Sequence, residues 1–551
     1  MYKIDKETVS LTLNDGVRLD ADIYRPDTSE KLPILLMRQP YGRAIASTVV
    51  YAHPKWYAAH GYIVVIQDVR GRGTSEGEFQ LFEHEITDGI ETINWLAQLP
   101  GSTGKIGMYG FSYQGMTQLY AAIGKSESLK AIAPAMIGYD LYSDWAYENG
   151  AFCLYANLGW AIQLAAETAR LQGDKSAYLQ LYRASRNLPL GDPIPALPEV
   201  MSQHAPDSFY HDWLEHDQPG DYWQKLSPKH LLQDVDLPML HIGGWFDPYL
   251  RGTLNLYQAM SQKSQYPQHL VVAPWAHLPW GSKLGAKDYG ITAQNKIDEL
   301  QVRWFDHFLK DIDTGITQEA PISLFEMGSN QWRKLTHFPD PTAPDTTTSF
   351  YLASNGLAAT REDAGRLLQK EKIDTKDPEN DLLHSEDIIV HDPWRPVPAL
   401  GGHATFPGGS FDRSALDCRS DILTYNSPVL ANDLHLGGHP VIELFGACDK
   451  PSFDLCAILS DVTPEGKVYN FSQGYIRVNQ FDNPIKIQLQ ATCYQIKTGH
   501  RLRLSIAAAC FPAYAVNPGT GKSLAESRLI EREVITISLF SGGNYPSLIR
   551  L

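Results

Sequence analysis

Short apolar runs bounded by glycine or proline recur through the first part of the chain. They alternate with segments whose apolar residues return every three to four positions. The first pattern predicts strands buried on both faces, the second helices packed against them. Strands are expected at Val17–Tyr24, Pro33–Arg38, Tyr62–Asp68, Lys105–Tyr109, Leu129–Pro134, Pro238–Ile242 and His269–Ala273, and helices at Glu85–Leu99 and Gly115–Ala122. This is the rhythm of a mostly parallel sheet covered by helices. It breaks between Asp140 and Asp234, where Tyr142–Ala166 and Glu167–Ser185 read as helices rich in Trp, Tyr, Leu and Ala, followed by a proline-rich stretch at Leu188–Pro198. An insertion of this composition within a sheet reads as a helical cap. After an expected helix at Gln294–Asp311, short runs of β-formers recur between Gly, Pro and Asn turns from Pro321 onward. They lie at Ser349–Leu352, Leu423–Asn426, Val441–Ala447, Asp454–Ser460, Gln473–Val478, Ile485–Thr492, Arg501–Ala507 and Val534–Leu539. Many short strands with few helices suggest a β-sandwich or jelly roll. The division expected is an α/β sheet domain over 1–139 and 236–339, a cap over 140–235 and an all-β domain over 340–551, with Asp340–Thr347 as the linker.

Composition adjusts this picture only slightly. At 551 residues the chain exceeds one core, and 43% hydrophobic with 11% aromatic residues is the make-up of a packed globular protein. A formal charge of -16 argues against nucleic acid as a partner, because a phosphate backbone is met by clustered Lys and Arg. The six cysteines, Cys153, Cys418, Cys448, Cys456, Cys493 and Cys510, form no C-x-x-C pair and read as buried free thiols rather than metal ligands or disulfides. The first residues carry charges without an apolar run, and no stretch reaches the ~18 apolar residues of a membrane span. The expectation is a cytoplasmic protein with no metal or cofactor: no H-E-x-x-H, phosphate loop or dinucleotide glycine fingerprint occurs.

Chemistry concentrates at Gly110-Phe111-Ser112-Tyr113-Gln114-Gly115, between an apolar strand and an apolar helix. The motif is G-x-S-x-x-G, one residue longer than G-x-S-x-G, yet its strand–turn–helix setting fits a nucleophile elbow. A serine hydroxyl needs a base held by a third group. In this arrangement the order is Ser, Asp or Glu, then His, on loops after later strands. Asp247 follows the strand ending in Gly-Gly-Trp-Phe, and His277 follows the strand ending in Pro-Trp-Ala. Ser112 is then the nucleophile, His277 the base and later the acid, and Asp247 the group that orients the imidazole. His241, inside a strand, reads as a core or supporting group. For the oxyanion, the Tyr113 backbone N–H is one donor. The loop Met37-Arg38-Gln39-Pro40-Tyr41-Gly42 has no His-Gly-Gly-Gly donor motif, and Tyr41 is left open between a phenol donor and packing.

A broader set of motifs carries a resemblance. It comprises Asn14–Asp22, Arg38-Gln39-Pro40-Tyr41, Gln67-Asp68-Val69-Arg70-Gly71-Arg72-Gly73-Thr74-Ser75-Glu76-Gly77, the elbow, Gly244-Trp245-Phe246-Asp247 and Pro274-Trp275-Ala276-His277. Phe350-Tyr351-Leu352-Ala353-Ser354-Asn355-Gly356 and Gly499-His500-Arg501-Leu502-Arg503-Leu504 extend it into the last third. The chain resembles the cocaine esterase and α-amino-acid ester hydrolase family, related to X-Pro dipeptidyl peptidases. The resemblance implies an α/β-hydrolase domain with an inserted helical cap, followed by a jelly roll. It also implies that Tyr41 donates to the oxyanion, and that Trp145, Trp160, Tyr249 and Phe246 sit around the substrate. One departure stands out. Amino-acid ester hydrolases hold the substrate ammonium with carboxylates, part of them shortly after the triad Asp, where this chain has Tyr249 and Leu250; Asp144 is the one position that matches a remaining member. A neutral, aromatic or medium-sized acyl group is expected instead.

Three activities follow. The first is hydrolysis of a small-molecule carboxylic ester, with amide or X-Pro peptide cleavage as the alternative. The second is acyl transfer from the same acyl-enzyme. The third is a binding role for the jelly roll with the hydrolase degenerate, which an intact triad argues against. Relatives of this kind often self-associate, which makes a homo-oligomer such as a dimer one candidate assembly and leaves the oligomeric state open; no membrane partner is expected.

Overall fold

The computed structural model describes residues 3–340, 348–369, 385–479 and 483–551. A ten-stranded mixed sheet forms the first part. In space its strands run Ile4–Thr12, Arg18–Pro26, Ile63–Asp68, Leu32–Gln39, Ser102–Phe111, Leu129–Ala135, Met239–Phe246, Gln268–Ala276, Ile322–Glu326 and Gln331–Leu335. Pairing is parallel from Ile63–Asp68 through Ile322–Glu326 and antiparallel at both edges. All seven strands expected for this sheet are present; six run past the expected C-terminal or N-terminal bound, while Tyr62–Asp68 is trimmed to Ile63–Asp68. Their continuous apolar runs follow from helices covering both faces, one core lying beneath the cap and another beneath Pro54–Ala59 and Ile297–Lys310.

The inserted segment is more divided than two long helices. Tyr142–Ala166 is not one helix. It contains a wide turn at Tyr142–Ala146, a two-stranded hairpin of Tyr147–Glu148 with Ala151–Phe152, and only then a helix over Leu154–Leu171. The hairpin turn is Asn149-Gly150, with φ of 44° and 80°, the backbone that a two-residue Asn-Gly turn requires. The helix break lies at Gln172-Gly173-Asp174 rather than at Ala166/Glu167, because the Asp174 carboxylate caps Lys175–Arg186 by accepting from Ser176 and Ala177 N–H at 3.0 and 2.9 Å. Four further short helices, Glu199–His204, Phe209–Glu215, Asp221–Leu226 and Pro228–Leu231, complete the insertion.

The last part is β-rich, with an eleven-stranded, almost wholly antiparallel sheet. Ile485–Thr492 is not one strand: Ile485–Gln488 and Thr492–Ile496 pair with different partners, and the interruption places Gln490 against the first sheet. Strands Arg366–Gln369, Ser385–His391, Leu434–Gly438 and Leu548–Arg550 go beyond the runs read from sequence. Of the expected linker only Asp340 lies within the described residues. One apolar core joins Trp245, Phe246, Leu250 and Leu270 to the β-rich strands, so this part is welded to the sheet edge beside Asp247. All six cysteines are free, but Cys418 is exposed and Cys448 half-buried, contrary to a uniformly buried set. Cys418 sits at a turn, with its thiol donating to the Ser414 carbonyl at 3.2 Å. No described helix is long and apolar enough to cross a membrane.

Candidate active site

Ser112 sits between strand Ser102–Phe111 and helix Tyr113–Ala122 with φ 59° and ψ -128°, a strained backbone for a residue with a side chain. Two glycines make the turn possible. A Cβ on Gly110 would lie 2.5 Å from the Gln114 Cβ, and one on Gly115 would lie 2.4 Å from Ile137 Cγ2. The glycine is therefore needed at 115, where the helix crosses its neighbour, and position 114 takes a side chain. This explains the extra residue in the motif. Behind the turn, the Tyr113 hydroxyl donates to Glu85 Oε1 at 2.7 Å, and Glu85 Oε2 accepts from buried Arg38 at 2.7 Å. The Tyr113 side chain is thus held away from Ser112, while its N–H lies in the first helical turn, where backbone donors have no intrahelical partner.

Asp247 and His277 occupy the loops after consecutive parallel strands, and His277 Nδ1 lies 2.8 Å from Asp247 Oδ1. Asp247 is fully buried, and burial pushes its carboxyl up, against the pull of the His277 hydrogen bond. Its second oxygen, Oδ2, is buried with no hydrogen-bond partner among the described residues. The bond at Nδ1 fixes the imidazole and leaves Nε2 for the serine side. Phe111 and Tyr249 flank the ring at centroid distances of 5.4 and 5.0 Å. His241 is buried within its strand, with Nε2 3.0 Å from Gln268 Oε1 and out of this group.

Tyr41 follows strand Leu32–Gln39. Its hydroxyl faces Ser112 and accepts the Trp160 indole N–H at 3.1 Å. Burial pushes the phenol up to about 12, so it remains a protonated donor at neutral pH. Because the indole occupies an oxygen lone pair, the phenol hydrogen is directed elsewhere, toward the serine side.

Ser112, His277 and Tyr41 line one cavity of about 570 Å³ together with Trp145, Trp160, Tyr249 and Phe246. Trp145 stacks near Tyr249 and Trp160, at centroid distances of 4.2 and 5.3 Å. None of the lining residues is Asp, Glu, Lys or Arg. Asp144 is not brought to the cavity. Its carboxylate accepts from the N–H groups of Tyr139 and Asp140 and from Asn255 Nδ2, at 3.2, 2.8 and 3.1 Å, and so pins the turn that carries Trp145.

The β-rich part supplies what sequence reasoning missed. A loop closed by reciprocal bonds between Gly402 and Gly409, at 2.8 and 2.9 Å, sends His403, Ala404, Thr405 and Phe406 to the cavity wall. Gln490 Nε2 donates to the carbonyls of Asp247 at 2.8 Å and Trp245 at 3.2 Å. No spacing rule links positions so far apart in sequence; the available signal was the turn-rich Gly401–Ser410 run. Among the described residues, no cluster of three His, Cys, Asp or Glu is placed to hold a metal ion.

The family model for X-Pro dipeptidyl-peptidase (S15 family) matches residues 15–279, and that for the X-Pro dipeptidyl-peptidase C-terminal non-catalytic domain matches 314–549. Cocaine esterase from Rhodococcus sp. (strain MB1 Bresler) is 30% identical over 98% of this chain and 97% of its own. Among solved structures, an aminopeptidase from a marine sediment Thaumarchaeota archaeon has a TM-score of 0.81 at 23% identity, covering 100% of this chain and 96% of that one. An α-amino acid ester hydrolase has a TM-score of 0.79 at 22% identity with the same coverage, and these two show the shared fold. The chain is a serine hydrolase with a catalytic part and a C-terminal β part. It belongs to the family that contains cocaine esterase and the X-Pro dipeptidyl peptidases.

Proposed function

We propose that Ser112, His277 and Asp247 form the catalytic triad for hydrolysis of neutral carboxylic esters bearing an aromatic or medium-sized apolar acyl group. The observation carrying this reading is a serine on a strained strand-to-helix turn, sharing an uncharged aromatic cavity with a histidine bonded to a buried aspartate. Ser112 Oγ attacks the carbonyl as His277 takes its proton; the proton passes to the leaving alcohol, and water then releases the acid. The Tyr41 hydroxyl and the Tyr113 N–H stabilise the oxyanion. Trp145, Trp160, Tyr249 and Phe246 hold the acyl group, and Asp144 supports them from behind. Esterase relatives point the same way. The aminoacyl and X-Pro peptide alternatives present an ammonium, for which the cavity lining offers no carboxylate. Division at 139/140, 235/236 and 339/340, a jelly roll in the last part, a dimer and a cytoplasmic location belong to the same proposal.

The test is a panel of esters and amides varied in the acyl group, with Ser112→Ala as control. Aryl and apolar acyl esters are expected to turn over with a burst of first product, and Ser112→Ala to lose on the order of 10⁶-fold in kcat. Full turnover by Ser112→Ala, or preference for α-amino acyl esters, would overturn the reading.

A further inference from the structure

Four large apolar side chains stand in solvent around the catalytic cavity. Ile45 is 76% exposed, Val49 50%, Leu278 37% and Phe406 65%, and all four line the same space as Ser112. They come from three separate stretches: the loop after Tyr41, the residue following His277, and the loop closed by Gly402 and Gly409. Isolated exposed apolar residues are ordinary, but several converging on the mouth of a functional cavity mark a binding surface. No charged residue lies among them in the lining.

Depth separates this rim from the rest. Trp145 and Tyr249 are only 2% and 6% exposed, so the interior is closed and aromatic while the mouth is open and aliphatic, save for Phe406. Serine hydrolysis makes its products in a fixed order. The Ser112 Oγ–acyl bond forms, the acyl–oxygen bond breaks, and His277 delivers the serine proton to the departing alkoxide. The alcohol leaves while the acyl group is still attached; water then attacks as His277 takes one of its protons, the acyl–Oγ bond breaks to release the acid, and His277 passes that proton to Oγ. A group that leaves first fits the exit side, and a group that stays fits the closed end.

We propose that Ile45, Val49, Leu278 and Phe406 form a leaving-group subsite for neutral, apolar alcohols, so that the preferred substrate is an ester apolar on both sides of its carbonyl. This rests on the serine-esterase reading. The probe is a series of alkyl phenylacetates from methyl to hexyl, in which only the alcohol changes. The value of kcat/KM is expected to rise roughly two- to fourfold per methylene until the rim is covered. In Ile45→Ser and in Phe406→Ser the hexyl-to-methyl ratio falls roughly tenfold. Ile291→Ser, removing an isoleucine that is also 76% exposed but lies outside the cavity lining, keeps the wild-type ratio. A flat wild-type series, or rim variants that lose methyl and hexyl esters equally, overturns the subsite. Loss of all turnover in Ser112→Ala alongside a flat series rejects the subsite alone, whereas turnover without Ser112 rejects the underlying reading.

Discussion

At the scale of single residues, the proposed oxyanion side of the site rests on a pair that no linear motif joins. Tyr41 offers one O–H, and the Trp160 N–H at 3.1 Å decides where it points. Tyr41→Phe is expected to lower kcat by about 10²–10³ with KM for the same ester little changed, as for loss of one oxyanion donor. Trp160→Phe keeps a ring but removes the indole donor, and is expected to cost roughly tenfold in kcat. In the Tyr41→Phe background that added loss should vanish, because the hydroxyl being oriented is gone. Steady-state kinetics on the four proteins check this; additive losses would leave Trp160 with a packing role only. The placement of Ser112, Asp247 and His277 at the ends of parallel strands was legible from sequence, because short apolar runs mark where those strands stop. Tyr41 was undecided from its own neighbours, since the partner of its hydroxyl is Trp160, 119 positions away in sequence. Asp144 misled because a carboxylate in the right stretch says nothing of its direction; here backbone N–H groups hold it away from the cavity.

Among elements, the loop carrying Asp247 is held from outside the sheet. Gln490, 2% exposed, lies between two β-rich strands and donates to the carbonyl of Asp247 on that loop and to that of Trp245 at the end of the preceding strand. Gln490→Leu preserves much of the volume but removes both bonds, leaving the Asp247 carbonyl only the Leu250 N–H at 3.2 Å, at a cost of about 1–3 kcal/mol. The thermal midpoint should fall, and kcat should fall roughly tenfold while KM holds, since in the proposed triad Asp247 positions the base and not the ester. An unchanged kcat with a lowered midpoint would make Gln490 structural only. Elements with strong periodicity were readable: every expected strand of the first sheet is there. The cap was less so, although two of its features had local signals. Asn149-Gly150 marks a hairpin and Gly173-Asp174 a helix end, but the surrounding apolar density reads as continuous helix. The split of Ile485–Thr492 had no such signal, because Ile-Lys-Ile-Gln-Leu-Gln-Ala-Thr alternates apolar and polar residues without a break and only tertiary pairing divides it.

Across the whole molecule, one buried carboxylate ties three parts together. Glu148, presented by the cap hairpin, accepts from Arg251 of helix Leu250–Lys263 at 2.8 Å, from Tyr514 at 2.5 Å and from the Tyr475 N–H at 3.2 Å. His403 Nε2 lies 3.1 Å away, on the loop that walls the cavity. Burial alone would raise the Glu148 carboxyl; Arg251 and His403 more than offset this and hold it down to about 2, against an ordinary value of 4.5. A carboxyl lowered on folding binds its proton more readily in the unfolded chain. It therefore contributes stability that is present above about pH 4.5 and is lost as pH falls toward 2, on the order of a few kcal/mol. Other carboxylates titrate in the same window, so the informative quantity is the difference from Glu148→Gln, which resembles the protonated form. Urea midpoints measured at pH 7, 5, 4 and 3 should show wild type well above Glu148→Gln at neutral pH, with the gap closing below pH 4.5. A gap independent of pH would mean that Glu148 contributes by shape and hydrogen bonding rather than by charge. The same variant should lose ester turnover at pH 7 with a raised KM, because releasing His403 loosens the wall that faces Ser112.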